Sequence, residues 1–331
     1  MTGKATMRAL VMERHQAPFR LVELPRPVPT AGQVLVRIHA SGVNPLDTKI
    51  RAGQAEHARH KLPAILGLDL AGEVVAVGAG VEGFRPGDAV YGMTGGVGGV
   101  QGSLADYAAV DERLLARKPS TLSMREAAAL PLITITAWEG LVDRAGVSSR
   151  QKVLIQGGAG GVGHVAIQLA RAFSAEVFAT DRASRAEFLR SLGATPIDRV
   201  TAVADYVAQH TQGKGFDLVY DTAGGAALDA SFAAVRRFGH VVSCLGWGSH
   251  SLAPLSFKGA SYSGVFTLLP LLSGEGRERH GQILAEAAEM AEAGQLAPNI
   301  DPRVFDFATV GEAYDAITQR TAQGKLVISI V

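Results

Sequence analysis

The feature that most constrains the fold of this chain is a glycine-rich loop between an apolar run and an amphipathic segment. KVLIQ at residues 152–156 predicts a buried strand, and VGHVAIQLARAF at 162–173 predicts a helix. In a G-x-G-x-x-G loop placed in this way, the first glycine makes a sharp turn, the second admits a phosphate to the backbone, and the third allows close helix packing. The loop therefore predicts a dinucleotide site. Its predicted contacts are Gly158, Gly160, Gly161, Val162 and Gly163.

Strand-like and helix-like segments alternate from about residue 126 to 264, as in EVFAT followed by RAEFLRSLG. This alternation indicates βαβ crossovers, and hence a doubly wound parallel sheet of the Rossmann type within an α/β protein. Residues 1–125 instead contain short β-branched runs punctuated by Gly and Pro, which predict a β-rich domain. The segment 265–331 closes with KLVISIV, a strand expected to rejoin the first domain. The doubly wound domain is then an insertion.

A second match to G-x-G-x-x-G, at Gly78, Gly80 and Gly83, lacks the same context. The residues that follow are FRPGD, which break a helix rather than begin one. Without a helix N-terminus there is no row of free N–H groups for a pyrophosphate. We interpret this stretch as a turn.

Composition excludes several other classes of function. The net charge is +1 over 331 residues, without basic or acidic blocks, so neither nucleic acid nor a membrane surface is an expected partner. The N-terminal sequence lacks the apolar core of a signal peptide, which predicts a cytoplasmic location. Cys244 is the single cysteine and lies in the apolar run HVVSCLG, so it is expected to be buried. No thiolate-rich zinc site can be built from one cysteine.

The choice between NAD and NADP depends on the end of the second strand of the doubly wound domain. Asp181 lies there, and an acid at this position binds the ribose hydroxyls of NAD and repels a 2′-phosphate. Arg182 and Arg185 follow, and an arginine can form a bidentate contact with that phosphate. Both cofactors stay open on this pattern. The remaining predicted cofactor contacts are Thr222, Leu245, Gly246 and Lys325.

Motifs along nearly the whole chain resemble those of zinc-independent medium-chain dehydrogenases/reductases, in particular quinone oxidoreductases. They are GVNPLDT at 42–48, LGLDLAGEV at 66–74, FRPGDAVY at 84–91, AALP and TITAW within 128–138, GGAGGVG at 157–163, and GKLV at 324–327. The resemblance implies a GroES-like catalytic domain, a Rossmann domain and an active cleft between them. It also favours NADP(H), the commoner cofactor of such relatives, while NAD(H) remains possible.

The resemblance further implies that zinc is absent. Zinc-dependent relatives use a Cys and a His as metal ligands, and the corresponding positions here hold Asn44 and Leu68. The structural zinc lobe with four cysteines is missing too. His57 and His60 lie in a polar stretch without an acid or a cysteine at ligand spacing, so we expect them to be solvated.

Without a Lewis acid, the preferred substrates are those that delocalise the negative charge of a transferred hydride, namely quinones and α,β-unsaturated carbonyls. Asn44 is the predicted donor to the developing enolate, although an Asn-Pro turn also explains it. Lys49 is either a proton donor or a solvated lysine, and Tyr91 lines either the cleft or the core. Thr136 is expected to face the nicotinamide.

Two other functions stay open. The same fold and loop serve enoyl-thioester reductases, and a non-catalytic protein that binds NADPH in a regulatory or structural role would also retain the loop.

Two structural expectations accompany the main prediction. Residues 257–265 are expected to form an edge strand that pairs in a homodimer. The segment 92–102, with six glycines in eleven residues, is either a mobile lid or a plain loop.

Overall fold

The computed structural model describes residues 5–331, which divide into two compact units. Unit 1 comprises the chain up to Leu132 together with Leu268–Val331, and unit 2 comprises Ile133–Thr267. The C-terminal segment therefore returns to the first unit. The predicted domain ends, 125 and 264, fall a few residues before the ends found in the structure.

The strands follow the β-branched runs of the sequence. In chain order they are β1 Thr6–Met12, β2 Arg20–Pro25, β3 Gln33–Gly42, β4 Ala64–Ile65, β5 Asp69–Val77, β6 Ala89–Met93, β7 Tyr107–Asp111, β8 Leu115–Arg117, β9 Lys152–Gln156, β10 Glu176–Asp181, β11 Thr195–Asp198, β12 Phe216–Asp221, β13 Val235–Ser243, β14 Ser261–Gly264 and β15 Val327–Ser329.

The helices lie mainly between the strands of unit 2 and in the C-terminal segment. They are α1 Pro45–Ala52, α2 Met124–Ala128, α3 Pro131–Trp138, α4 Gly161–Ala172, α5 Ala186–Ser191, α6 Val203–Thr211, α7 Ala226–Ala234, α8 Ala253–Ser256, α9 Leu269–Ser273, α10 Arg277–Glu292 and α11 Val310–Thr318. A π-helical segment, Glu139–Arg144, follows α3.

Unit 1 is built from antiparallel strands, as predicted for a GroES-like domain. Its larger sheet has the order β15-β3-β5-β6-β8, with β7 pairing β3, and its smaller sheet has the order β2-β1-β4. The C-terminal strand β15 pairs with the end of β3, so that Val327 lies opposite Gly42. This pairing brings Lys325, two residues before β15, next to the start of α1.

Unit 2 is a parallel sheet of six strands in the order β11-β10-β9-β12-β13-β14. This is the strand order of a doubly wound dinucleotide-binding fold, which confirms the predicted fold class. Aromatic and aliphatic side chains fill the core, among them Phe178, Phe216 and Phe232. The carboxyl ends of the strands share one edge of the sheet, where such folds bind their ligands.

One predicted boundary was wrong. The run AALDASFAAVRR suggests one helix over 226–237, but α7 ends at Ala234 and the last three residues begin β13. Val235 is β-branched and pairs with Phe216 of β12, so the sheet determines the conformation here. Within residues 5–331, no helix is both long and apolar enough to cross a bilayer.

Candidate functional site

The predicted phosphate loop adopts the expected strand, loop and helix geometry. Gly157 has a left-handed backbone (φ +76°) that ends β9 in a sharp turn. A Cβ at Gly158 would lie 2.7 Å from the Cβ of Ala179. A Cβ at Gly163 would lie 2.2 Å from the carbonyl oxygen of Gly157. Both distances are far below contact distance, so helix α4 can begin here only with these glycines. Gly160, at the N-cap, has no side chain to cover the first N–H groups of α4.

The second glycine motif is a turn, as predicted. Gly78 follows the end of β5, and the residues up to β6 contain no helix. A Cβ at Gly78 would lie 1.8 Å from the carbonyl oxygen of Thr30, so this glycine is required by close backbone packing. Close packing of two backbone segments thus accounts for a glycine at this position.

Asp181, at the end of β10, is bonded to the phosphate loop. Its Oδ2 accepts the backbone N–H of Ala159 at 2.9 Å, and its Oδ1 accepts that of Arg182 at 2.8 Å. Both oxygens of the carboxylate are thus fixed by the protein beside the loop. Arg182 is exposed and Arg185 is half-buried.

Residues from three further positions lie at the same edge of unit 2. Thr222 follows β12, and its hydroxyl donates to the carbonyl oxygen of Gln156 at 2.7 Å. Leu245 and Gly246 follow β13, and a Cβ at Gly246 would lie 2.2 Å from the hydroxyl of Tyr262. The structure therefore brings the predicted cofactor residues of unit 2 to one edge of the sheet. Lys325 belongs to unit 1.

Lys325 is part of a buried polar cluster in unit 1 that the sequence did not suggest. Its ammonium group donates to the carbonyl oxygen of Val43 at 2.8 Å and to Oδ1 of Asn44 at 2.5 Å. Nδ2 of Asn44 donates to Oδ2 of Asp69 at 2.9 Å, and the backbone N–H of Asn44 donates to Asp47 at 2.8 Å. Asn44 is fully buried. Its carboxamide is thus held between a cation and an anion.

Burial changes the ionisation of this cluster. Desolvation raises the pKa of Asp47 to about 7 and that of Asp69 to about 6, although Lys325 lowers both. Desolvation also lowers the pKa of Lys325, against the opposing effect of the two carboxylates. One oxygen of Asp47, Oδ1, is buried without a hydrogen bond.

The positions that correspond to zinc ligands do not fit a zinc ion. Leu68 is a fully buried apolar residue without a lone pair to offer, and the carboxamide of Asn44 is already bonded at both ends. In the part of the chain that the structure describes, no group of three or more His, Cys, Asp or Glu residues is arranged to hold a metal.

The other catalytic candidates lie in different environments. Tyr91 is fully buried in unit 1, and its hydroxyl donates to the carbonyl oxygen of Leu284 at 2.6 Å, which agrees with the core alternative. Burial also raises the pKa of this hydroxyl far above its usual range. Lys49 is exposed on α1. Thr136, in unit 2, is nearly buried and its hydroxyl lies 3.0 Å from that of Thr267.

The glycine-rich segment 92–102 is packed rather than loose. A Cβ at Gly102 would lie 2.3 Å from the carbonyl oxygen of Leu66, and one at Gly95 would lie 1.9 Å from that of Gln101. Only Gly98 and Gly99 are exposed. The glycines therefore permit close backbone contacts, which explains their number without a mobile lid.

Comparisons with known proteins agree with this geometry. The family description "Alcohol dehydrogenase GroES-like domain" matches residues 30–120, and "Zinc-binding dehydrogenase" matches residues 192–328. The chain is 38% identical to 2-methylene-furan-3-one reductase of Solanum lycopersicum, over 89% of this chain and 71% of the relative. It is 33% identical to the chloroplastic NADPH-dependent alkenal/one oxidoreductase of Arabidopsis thaliana, over 89% and 72%. It is 30% identical to quinone-oxidoreductase QR1 of Triphysaria versicolor, over 99% of both chains.

Solved structures show the same architecture. An alcohol dehydrogenase superfamily protein from Novosphingobium aromaticivorans is 62% identical, with a TM-score of 0.97 over 98% of this chain and 100% of that one. The CurK enoyl reductase is 27% identical, with a TM-score of 0.86 over 98% and 99%. The chain belongs to the medium-chain dehydrogenase/reductase family, in its quinone oxidoreductase-like branch.

The phosphate loop generates a first prediction. Gly163→Asp should abolish cofactor binding, because the side chain would displace α4 from the loop and its charge would repel a pyrophosphate. The matched control is Gly83→Asp in the second glycine motif, where an added Cβ meets nothing nearer than 3.5 Å. The measurement is titration of both folded variants with NADPH. Equal affinity of the two variants would show that the loop is assigned to the wrong ligand.

The buried cluster of unit 1 generates a prediction on pH. The raised pKa values mean that the folded state binds more protons than the unfolded state between about pH 4 and about pH 7. The contribution of Asp47 and Asp69 to stability therefore falls as the pH rises through this window. Asp47→Asn should make the decline in unfolding free energy shallower by roughly 1 kcal/mol per pH unit.

Denaturant unfolding across this pH range measures the effect. Asp315→Asn, which alters an exposed carboxylate on α11, should keep the slope of the parent protein. Parallel slopes for Asp47→Asn and the parent protein would contradict the assigned titration.

Proposed function

We propose that the protein is an NAD(P)H-dependent reductase that transfers hydride to quinones or α,β-unsaturated carbonyls without zinc. The observation that carries the proposal is the phosphate loop, where a Cβ at Gly163 would lie 2.2 Å from a backbone oxygen. A loop with that requirement at the start of a helix suits a pyrophosphate. The relatives named as alkenal/one and quinone oxidoreductases support the substrate class.

The chemistry follows from the residues at the positions of the zinc ligands. Leu68 and Asn44 cannot bind a zinc ion, which would act as a Lewis acid and stabilise an alkoxide. The substrate itself must therefore accommodate the negative charge. A bound reduced nicotinamide supplies hydride. Negative charge then develops on the substrate oxygen, where hydrogen-bond donors stabilise it. We propose the second Nδ2–H of Asn44 as such a donor, with its carboxamide oriented by Lys325 and Asp69.

Two of the other three catalytic candidates keep their proposed roles. Lys49 is the candidate source of the proton that completes the reduction, and its exposure on α1 allows exchange with solvent. Thr136 is the candidate contact to the nicotinamide in unit 2. Tyr91 already donates its hydroxyl hydrogen to Leu284, so it makes the weakest candidate.

A second candidate function is reduction of enoyl thioesters, which the likeness to CurK enoyl reductase favours. A non-catalytic role in binding NADPH is the third. All three functions require the phosphate loop, so cofactor binding does not distinguish them. Turnover rates with different substrates do.

The proposed function is tested by oxidation rates of NADPH and NADH with matched quinones, enones and enoyl thioesters. We expect turnover of quinones or enones to exceed that of enoyl thioesters, with no zinc in the same dialysed preparation by elemental analysis. Higher turnover of thioesters would support the second candidate, and binding without turnover would support the third. One or two zinc ions per chain would contradict the zinc-free mechanism.

The proposed cofactor is NADP(H), with NAD(H) as the alternative. Arg182 and Arg185 lie just beyond β10, where a 2′-phosphate would be bound, and one relative is named as NADPH-dependent. The charge of Asp181 opposes this choice, but two backbone N–H groups already bind its oxygens. We infer that the arginines outweigh it.

The double change Arg182→Ala with Arg185→Ala should weaken NADPH binding about ten- to a hundredfold and leave NADH binding nearly unchanged. The reason is that only NADPH carries the phosphate that they would contact. Calorimetric titration with both cofactors measures the effect, and Arg150→Ala, at an exposed arginine before β9, is the control. A preference of the parent protein for NADH would show that Asp181 determines the specificity.

We also propose a homodimer formed through β14, the edge strand of the unit 2 sheet. This strand is shorter than the predicted 257–265, and its Tyr262 is 39% exposed, an arrangement that favours pairing with a second copy. Tyr262→Glu should yield monomers, while Val200→Glu, at another exposed apolar residue, should not. Sedimentation of the parent protein near the 34.6 kDa of one chain would contradict the proposal.

The cytoplasmic location stays a prediction.

A further inference from the structure

The carboxylate of Asp221 is a buried group that the proposed chemistry has not used. It ends β12, is fully buried, and accepts hydrogen bonds from two residues of the loop after β12 and from Ser243, the last residue before the loop after β13. These loops follow β12 and β13, and both contain predicted cofactor contacts. One carboxylate thus connects the starts of two loops that carry candidate cofactor contacts.

The first loop is shaped by Oδ1 of Asp221. This oxygen accepts the backbone N–H of Ala223 at 3.0 Å and that of Gly224 at 2.9 Å. Gly224 has a left-handed backbone (φ +73°), so the chain turns sharply before α7. Thr222 lies inside this turn and is tied to Gln156 of β9. The turn therefore sets the position of Thr222 relative to the phosphate loop.

The second loop is held through Ser243 by the other oxygen. The hydroxyl of Ser243 donates to Oδ2 of Asp221 at 2.7 Å and accepts the backbone N–H of Leu245 at 3.0 Å. The two loops also touch, since a Cβ at Gly224 would lie 3.0 Å from the Cβ of Leu245. A carboxylate suits this junction because it only accepts hydrogen bonds and has room for all three donors.

We propose that Asp221 is a positioning residue that sets the two loops holding the nicotinamide half of the cofactor. A doubly wound sheet consists of two mononucleotide-binding halves, here β9, β10 and β11 and then β12, β13 and β14. Asp181 belongs to the first half, which takes the adenine end. The loops joined by Asp221 belong to the second. The inference rests on the proposed function, because it assumes a dinucleotide cofactor.

If this is correct, changes at this junction should weaken binding of the nicotinamide half of the cofactor and leave binding of the adenine half unchanged. Asp221→Asn and Ser243→Ala should each weaken the binding of NADPH by about tenfold, for the loss of one hydrogen bond to a charged group, and Asp221→Ala should weaken it further because three hydrogen bonds are lost. Binding of 2′,5′-ADP, which contains only the adenine half, should not change. Asp221→Asn keeps the Oδ1 acceptor and should recover part of the loss seen in Asp221→Ala.

Calorimetric titration of NADPH and 2′,5′-ADP, repeated with NADH and 5′-AMP, provides the test. The matched control is Asp217→Asn, a carboxylate on the same strand at the opposite end of the sheet, bonded to the N–H of Lys152 and to Arg236. This control should bind both ligands as the parent protein does. If Asp221→Ala does not fold, the milder variants Asp221→Asn and Ser243→Ala still provide the comparison.

The stereochemistry of hydride transfer is a second readout that a merely structural role would not change. With NADPH deuterated on one face of C4, the parent protein should use a single face, and Ser243→Ala should use both. The inference is overturned if the variants bind NADPH like the control, or if they lose both ligands equally. If the parent protein binds no dinucleotide, the proposed function itself has failed.

Discussion

Helix α4 can begin against the end of β9 only because residue 163 has no side chain. A Cβ there would lie 2.2 Å from the carbonyl oxygen of Gly157. No rotation of a side chain could relieve this contact, because the backbone fixes the positions of both atoms. This close approach directs the first N–H groups of α4 towards the carboxyl edge of the sheet. Asp181, Thr222 and the loop after β13 lie along that same edge. The candidate cofactor site of unit 2 depends on this backbone contact.

Unit 1 meets a different constraint, which is the burial of charge. Lys325 comes from the C-terminal segment, yet its ammonium group is buried beside Asn44, with Asp47 and Asp69 close by. Removing one partner would leave the others buried without compensation, at a cost of about 3–5 kcal/mol. The cluster therefore ties β15 to the start of α1 and fixes the carboxamide of Asn44. Where zinc-dependent relatives are expected to hold a metal, this protein has a hydrogen-bonded amide.

Local sequence predicted the parts of the structure that are determined by neighbours in the chain. The strand, loop and helix over residues 152–173, the parallel sheet and the turn at Gly78 each depend on a short run with a distinct pattern, and the structure agrees with each of these predictions. The contact of Asn44 with Lys325 joins residues 281 apart, so no local pattern shows it. Asp47 and Asp69 did stand in the motifs that carried the family resemblance, but their burial depends on packing. The burial of Tyr91 also could not be predicted locally, because its hydrogen-bond partner Leu284 is 193 residues away.

Hydride transfer from a nicotinamide to a conjugated carbonyl is the activity that most needs a direct test. A single-turnover reaction uses NADPH that carries deuterium on both faces of C4 and an enone as acceptor, with mass spectrometry and NMR of the product. We expect one deuterium per product molecule, bound to the former β-carbon, together with a solvent-derived proton on the α-carbon. A product without deuterium, or an enone left unreduced while NADPH remains bound, would contradict it.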